Sequence, residues 1–360
     1  MNHSKNVLLA LTLELGNKVI SGQINTVARQ MADVNVSTFW WGEVSDYQTY
    51  YPKRIPSDTL RVLIGASRKK RSLTFGDIDA LVIHGWEQVI VFRDVIRHKP
   101  SAVFMDTTPA QNLRMFRNHI TLKQRLFGRL WHVLFRRYLQ WATLVCPRTE
   151  FCANSIRTDY GIDESRIQVV RHGVDLRTWV PAPEKRPEHP RLLFVGNNFQ
   201  RKGGPFMLEV KHLLPEQYEL VIVSNDPIVG NLNVNERTLV IRGLDHSRLL
   251  ELIGWYQSSH LLAFPTWNEP FGQVMVEAAA CGTPCIVRDL GPQREAVQHE
   301  KSGLLMPYHS SPREWASAIQ LLFADREKLA AFGVRARQIA EERYSIDRLE
   351  RQIAQVIASL

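Results

Sequence analysis

Phe264-Pro265-Thr266-Trp267-Asn268-Glu269-Pro270-Phe271-Gly272-Gln273 runs into Val274-Met275-Val276-Glu277-Ala278-Ala279-Ala280. It reads as the end of an apolar strand, a tight turn carrying proline and glycine, and a helix. Such a junction sets a helix N-terminus at the carboxyl edge of a parallel sheet, where α/β folds take their ligands. The backbone N–H groups near Phe271, Gly272 and Gln273 would face a phosphate, helped by the helix dipole. Gly272 admits close approach of the backbone. Glu269 precedes the helix and is expected to accept hydrogen bonds from sugar hydroxyls; the bland reading is a helix cap. Glu277 stands among Val274, Val276 and three alanines, where a carboxylate without a partner is costly. It is expected to take the vicinal hydroxyls of a ribose, against the plain alternative of a solvated helix residue.

Outward from this junction, short apolar runs alternate with helical stretches in two separate series, the pattern of parallel sheets with helical crossovers. The first series predicts strands at 6–13, 35–40, 79–84, 101–105, 143–146 and 167–171, a helix over 22–33 and a long basic helix over 119–142. The second predicts strands at 191–196, 219–224, 238–242, 260–264 and 284–288, with helices at 204–213, 246–257 and 271–281. Pro181, Pro183, Pro187 and Pro190 fall between them, and proline fixes φ and removes donors. The expected organisation is a Rossmann-like domain over 1–175, a linker over 176–190 and a second Rossmann-like domain over 191–345. The amphipathic segment 346–360 is expected to pack back on the first domain. A chain of 360 residues, 44% of them hydrophobic, is ample for two such cores.

A net charge of +9 calls for an anionic partner without naming one. The four cysteines, at 146, 152, 281 and 285, form no C-x-x-C pair, so reduced thiols are expected rather than zinc ligands or a disulfide framework. Glu14 ends the apolar run Val7 to Leu13 with no small-residue cleavage site after it. That run reads as a buried strand of a cytoplasmic protein, and nowhere do 18 apolar residues run together.

Further candidates lie where strands end. Gly196 closes the strand 191–196, and Arg201-Lys202-Gly203-Gly204 follows it; fixed cations there would stabilise a departing diphosphate. Gly16 and Gly22 follow the first strand and are expected in a loop beside phosphates. Asp106, after the strand 101–105, either orients an acceptor hydroxyl or caps a helix. His84 ends another strand, where a hydrogen-bonded core histidine is the ordinary case. His172 either touches the ligand or closes a turn.

Glu269-x7-Glu277 followed by Ala280-Cys281-Gly282-Thr283-Pro284 resembles the donor-site signature of retaining glycosyltransferase family 4. Val170-Arg171-His172-Gly173-Val174-Asp175 resembles the family's Pro-Asn-Gly-Val-Asp, and Lys301-Ser302-Gly303-Leu304-Leu305 its Asn-Gly-x-Leu strand. The resemblance covers residues 145–345 and is thin before 140. Where the family has an arginine after the strand glycine this chain has Asn197. In that respect its Arg-Lys-Gly segment looks closer to lipopolysaccharide-core glucosyltransferases. The resemblance implies a GT-B fold, two Rossmann-like domains facing across a cleft. It also implies retaining transfer of a hexosyl unit from a nucleoside diphosphate sugar to an acceptor hydroxyl, in polysaccharide, lipopolysaccharide or glycolipid synthesis. In the family the first glutamate contacts the donor sugar and the second the ribose. No Asp-x-Asp stands at a suitable turn, since Asp77-Ile78-Asp79 runs straight into a strand, so no metal is expected. A GT-B-shaped sugar-nucleotide epimerase and a basic nucleic-acid binder are the rival readings; the second lacks aromatics interleaved with its cations. Over 119–142, Arg125, Arg129, His132 and Arg136 fall opposite Phe127, Trp131, Leu134 and Tyr138. That is either a peripheral contact with an anionic membrane facing a lipid-linked acceptor, or a covering helix with solvated arginines.

Overall fold

Apolar runs of four to eight residues bounded by turn signals become strands. The computed structural model describes residues 4–13, 18–43, 45–46, 58–74, 76–115, 122–232, 236–244 and 248–360. Contacts divide the chain into two units, Met1–Arg171 with Arg348–Leu360, and His172–Asp347.

In the first unit, β1 (Lys5–Thr12), β2 (Val34–Trp41), β3 (Ala80–His84), β4 (Ser101–Met105) and β5 (Leu144–Pro147) form a parallel sheet in the order β2-β1-β3-β4-β5. β3 and β4 are buried along their whole length, as strands covered on both faces must be. Helices α1 (Lys18–Gln30), α2 (Asp58–Arg71), α3 (Trp86–Val91), α4 (Pro109–Met115), α5 (Leu122–Leu139) and α6 (Glu150–Tyr160) belong to the same unit. α6 begins on Thr149, whose side chain accepts from the Cys152 N–H, and ends on Gly161 in the left-handed region.

Two expectations are corrected here. α1 begins at Lys18, because Ile20, Ile24, Val27 and Ala28 already form its buried stripe; that periodicity outweighs the glycine at 22. The strand expected at 167–171 is reduced to one bridge, Val145 to Ile167. The Gln168 and Val170 N–H groups do donate to the Val145 and Pro147 carbonyls, but Pro147 ends β5 with no N–H to return.

α12 (Ile346–Ser359) buries Leu349, Ile353, Val356 and Ile357 at helical spacing and sits with the first unit, where Gln352 Nε2 donates to the Val169 carbonyl at 3.3 Å.

The second unit holds β6 (Arg191–Val195), β7 (Glu219–Val223), β8 (Thr238–Ile241), β9 (Leu261–Phe264), β10 (Cys285–Arg288) and β11 (Gly303–Met306), all parallel, in the order β11-β10-β9-β6-β7-β8. Helices α7 (Gly204–Leu213), α8 (Leu249–Gln257), α9 (Gln273–Ala280), α10 (Pro312–Ala324) and α11 (Arg326–Arg343) accompany it. Leu193 and Val195 enter the core with α8 and α9, while Leu192 and Phe194 enter the core with α7 and α10, the period of two that a strand imposes. The proline-bearing stretch is laid on this unit: Trp179 and Ala182 are buried, Arg337 Nη1 donates to the Trp179 carbonyl at 2.6 Å, and Arg186 Nη2 donates to the Gly282 carbonyl at 2.9 Å.

In each sheet the strand order reverses at one point, between β1 and β3 in the first and between β6 and β9 in the second. Open α/β sheets bind ligands beyond the carboxyl ends of the strands at that point.

Candidate active site

The turn after β6 and the loop after β9 meet at the second reversal point. Gly203 has φ +82°, and a Cβ there would lie 2.3 Å from the Pro265 carbonyl oxygen, so only glycine brings the two backbones together. The Trp267 N–H donates to the Arg201 carbonyl at 3.0 Å and locks the pair in register. Across this junction the Lys202 ammonium donates to Glu269 Oε2, and Arg201 Nη1 reaches the same oxygen at 3.3 Å and the Asn268 carbonyl at 2.5 Å. Lys202 and Glu269 are nearly buried, while Arg201 is about a third exposed at 36%. Burial lowers the Lys202 pKa, and the charge of Glu269 opposes the shift. Gly196 lies under the lysine: a Cβ there would stand 3.0 Å from Lys202 Cγ. Arg201, Lys202, Glu269 and Gly196, chosen separately along the sequence, therefore form one cluster.

α9 opens on Gly272, φ +98°, where a Cβ would meet the Phe264 ring at 2.6 Å. Helical geometry leaves the Gln273 and Val274 N–H groups at the start of α9 without intrahelical acceptors, while the Met275 N–H donates to the Gly272 carbonyl at 3.0 Å. Phe271 is buried and stacks on His172, centroids 4.6 Å apart and planes 3° from parallel, and Gln273 Nε2 donates to the Gly173 carbonyl at 3.4 Å. His172 is thus part of the floor of this turn.

Glu277 is half-buried and is not a solvated helix residue: Tyr256 Oη donates to its Oε2 at 2.7 Å. Burial raises the Glu277 pKa, with Tyr256 and Lys202 pulling it down. Tyr256 and the fully buried Gln293 are residues that sequence reasoning missed. Gln293 Nε2 donates to the Glu269 and Phe271 carbonyls at 3.2 and 3.3 Å and so braces the loop. Gly291-Pro292 before it signals a turn after β10 but nothing about its partner.

In the first unit, His84 ends β3 at 1% exposure. Ser21 Oγ donates to the Thr12 carbonyl at 2.7 Å and lies 2.8 Å from His84 Nδ1. With its one proton on Thr12, the hydroxyl accepts from Nδ1–H, which leaves Nε2 as the basic nitrogen. Burial, with Arg148 nearby, lowers the His84 pKa to about 3. Asp106 follows β4, with Arg148 Nε 4.0 Å from its Oδ1. Arg148, at the end of β5, is 1% exposed, and burial lowers its pKa to about 10. It was not singled out from the sequence, where it reads as one of many surface cations.

Gly22 lies in the second turn of α1 and not in the expected loop, and a Cβ there would meet nothing within 4 Å. Gly16 is outside the described residues. In α5, Phe135 and Leu139 are buried, and His132 Nδ1 lies 3.0 Å from Tyr160 Oη. The helix covers the core with Trp131 and Tyr138, while Leu130, Val133, Arg129 and Arg136 are exposed. The side chains of Arg125 and Phe127 are outside the described set. No helix among the described residues is long and apolar enough to cross a membrane. All four cysteines are buried and unpaired.

Comparison with known proteins agrees with this geometry. Residues 177–339 match the family model described as glycosyl transferases group 1, and residues 22–178 match the model described as Glycosyltransferase Family 4. The D-inositol 3-phosphate glycosyltransferase of Xylanimonas cellulosilytica is 32% identical over 221 residues, 54% of this chain and 52% of that one. The protein of the same name from Kineococcus radiotolerans is 31% identical over 215 residues, 51% and 49% of the two chains. The chain thus spans about half the length of the curated relatives it matches. Among solved structures, sucrose-phosphate synthase from Thermosynechococcus elongatus superposes with a TM-score of 0.78 at 19% identity, over 99% of this chain and 98% of that one. Anabaena Alr3699/HepE in complex with UDP gives 0.73 at 17% identity, over 99% and 100%. The fold is GT-B, and each half of the chain matches a glycosyltransferase domain model.

Proposed function

With both halves built as glycosyltransferase domains, we propose that the protein transfers a hexosyl unit from a nucleoside diphosphate sugar to an acceptor hydroxyl with retention at the anomeric carbon. The observation that carries this reading is the Lys202–Glu269–Arg201 cluster at the β6/β9 reversal point. Two cations held beside the N-terminus of α9 suit a leaving diphosphate, whose negative charge grows as the glycosidic bond breaks. Glu269 is then the acceptor of hydrogen bonds from the sugar, and Glu277, already engaged by Tyr256, takes the ribose. The similar proteins support the donor class: HepE structures carry UDP, UDP with glucose, or UDP-glucose. Asp106 and His84 are assigned to the acceptor side, with His84 Nε2 the free base of a neutral ring.

The basic pair serves the leaving group in the place of a metal, so turnover is expected to survive EDTA. The acceptor is a carbohydrate or a lipid-linked sugar of polysaccharide, lipopolysaccharide or glycolipid synthesis. For the lipid-linked case, exposed Leu130 and Val133 beside Arg129 and Arg136 form the face of α5 turned to an anionic membrane. Sedimentation with anionic vesicles at low salt decides that point. Thermal unfolding with UDP-, GDP- and ADP-sugars tests the donor assignment, because a ligand bound by the native state alone raises stability. The reading requires one of them to raise Tm in the wild type and not in Lys202→Ala; no shift with any of them would overturn it.

A further inference from the structure

Arg288 is the last residue of β10 and is fully buried. Its guanidinium sits among aromatic rings: Trp267 at 3.9 Å from the ring centre, Phe206 at 4.7 Å, and Tyr308 and Trp315 at 5.8 Å. Nη1 donates to the Tyr308 carbonyl, Nε reaches the Pro265 carbonyl at 3.4 Å, and Nη2 has no partner among the described residues. No carboxylate pairs with it among the described residues. Burial lowers its pKa to about 10, so it is a cation at neutral pH.

A cation at this depth with no carboxylate beside it is costly, because its lost hydration is not repaid by an opposite charge. Packing alone would be served as well by an aliphatic side chain. What the guanidinium adds is its fork. It ties the Pro265 carbonyl, first in the loop after β9, to the Tyr308 carbonyl, two residues beyond β11, and it stacks against Trp267 of the former loop. Both pieces of the candidate site rest on Pro265 and Trp267. Gly203 is pressed against the Pro265 carbonyl, and the Trp267 N–H holds Arg201.

We propose that Arg288 is a positioning residue, which sets the height of the 265–269 loop and so the geometry of the Lys202–Glu269 pair. This rests on the transferase reading of that pair. The role is mechanical. The charges that act on Lys202 are those of Glu269, Arg201 and Glu277, so Arg288 works through the backbone and not through its field. A lysine at 288 keeps the charge and the cation–π contacts but presents one ammonium where two carbonyls diverge.

The test compares Arg288→Lys and Arg288→Met with the wild-type chain. Arg288→Lys is expected to unfold within a few degrees of wild type and to bind UDP within about threefold, while kcat falls by about tenfold or more at unchanged donor KM, because misplacement acts on the transition state first. Independently of any turnover, hydrogen exchange of the amides from 266 to 271 is expected to quicken by about tenfold in Arg288→Lys, with protection of the sheet unchanged. That arm stands even if no donor sugar is turned over, which separates failure of the positioning role from failure of the transferase reading. Wild-type exchange in the loop together with wild-type kcat in Arg288→Lys would overturn the proposal. A loss of kcat that only follows the folded fraction in both variants would overturn it too.

Discussion

Gly203→Ala puts the smallest possible change at the joint on which the site depends. At φ +82° an alanine costs about 1–2 kcal/mol for the left-handed backbone alone. The added Cβ would lie 2.3 Å from the Pro265 carbonyl oxygen and 3.1 Å from its ring. A contact with backbone does not relieve itself by a rotamer change. Restoring an ordinary separation of about 3.4 Å moves the 201–203 turn away from the loop by about 1 Å, and a displacement of that size costs on the order of 10² in rate. The expected outcome is a folded protein with Tm lowered by several degrees, kcat down about a hundredfold, and UDP affinity reduced much less. Thermal unfolding, calorimetry with UDP and initial rates of UDP release measure the three quantities. A Gly203→Ala protein with kcat within about threefold of wild type would refute the claim that this contact sets the catalytic geometry.

Gly22→Ala should behave in the opposite way. Inside α1, with open space at its Cβ, alanine is expected to stabilise by about 0.5–1 kcal/mol and leave turnover unchanged, as urea unfolding and rate assays would record. His84 makes a pH prediction. Its folded pKa is lowered to about 3, so between about 3 and 6.5 the unfolded chain binds a proton that the native chain does not, and stability rises with pH across that window. Acidification from pH 7 to 5 is expected to cost wild type about 2 kcal/mol more than His84→Asn, from urea titrations at the two values.

The strands and their parallel sense were largely legible because buried α/β strands are short apolar runs alternating with helices, and the 3.6-residue stripe marked most helices. What misled was glycine. At 22 it suggests a loop, whereas the stripe from Ile20 onward already makes helix. At 203, in the Gly-Gly that follows Arg201 and Lys202, it is the close-approach position between two segments of backbone. The candidate donor-side residues were legible because Glu269, Arg201 and Lys202 are charges placed at strand-to-helix turns and Glu277 is a charge inside an apolar helix. Their partners were not: Tyr256 lies 21 positions from Glu277, Gln293 lies 24 and 22 from Glu269 and Phe271, and Arg288 lies 23 and 20 from Pro265 and Tyr308. Only the sheet order brings them together, and a period read along one segment carries no information about that order. Arg148 escaped for the same reason, since its burial comes from the tertiary packing around it and not from its neighbours in sequence.

The direct contact between Lys202 and Glu269 makes a prediction that separate roles for the two residues would not. The carboxylate holds the ammonium and the partly exposed Arg201, so a diphosphate must take both cations from an existing partner. Removing that partner's charge while keeping its shape, in Glu269→Gln, leaves Lys202 nearly buried with its positive charge unmatched. A diphosphate entering the variant no longer competes with a charged hydrogen bond, an interaction of about 1.5–3 kcal/mol. UDP is therefore expected to bind Glu269→Gln about tenfold more tightly than wild type, the shift that about 1.4 kcal/mol produces. Transfer should move the other way, falling on the order of 10²-fold, because the amide is a weaker acceptor for the sugar hydroxyls in the transition state. Opposite signs for nucleotide affinity and turnover are the signature of a carboxylate that guards the cations when the site is empty and turns to the sugar when it is full. Calorimetry with UDP and initial rates on the same preparation give both numbers. If UDP binding weakens alongside turnover, Glu269 is a fixed brace for Lys202, and the exchange of partners does not occur.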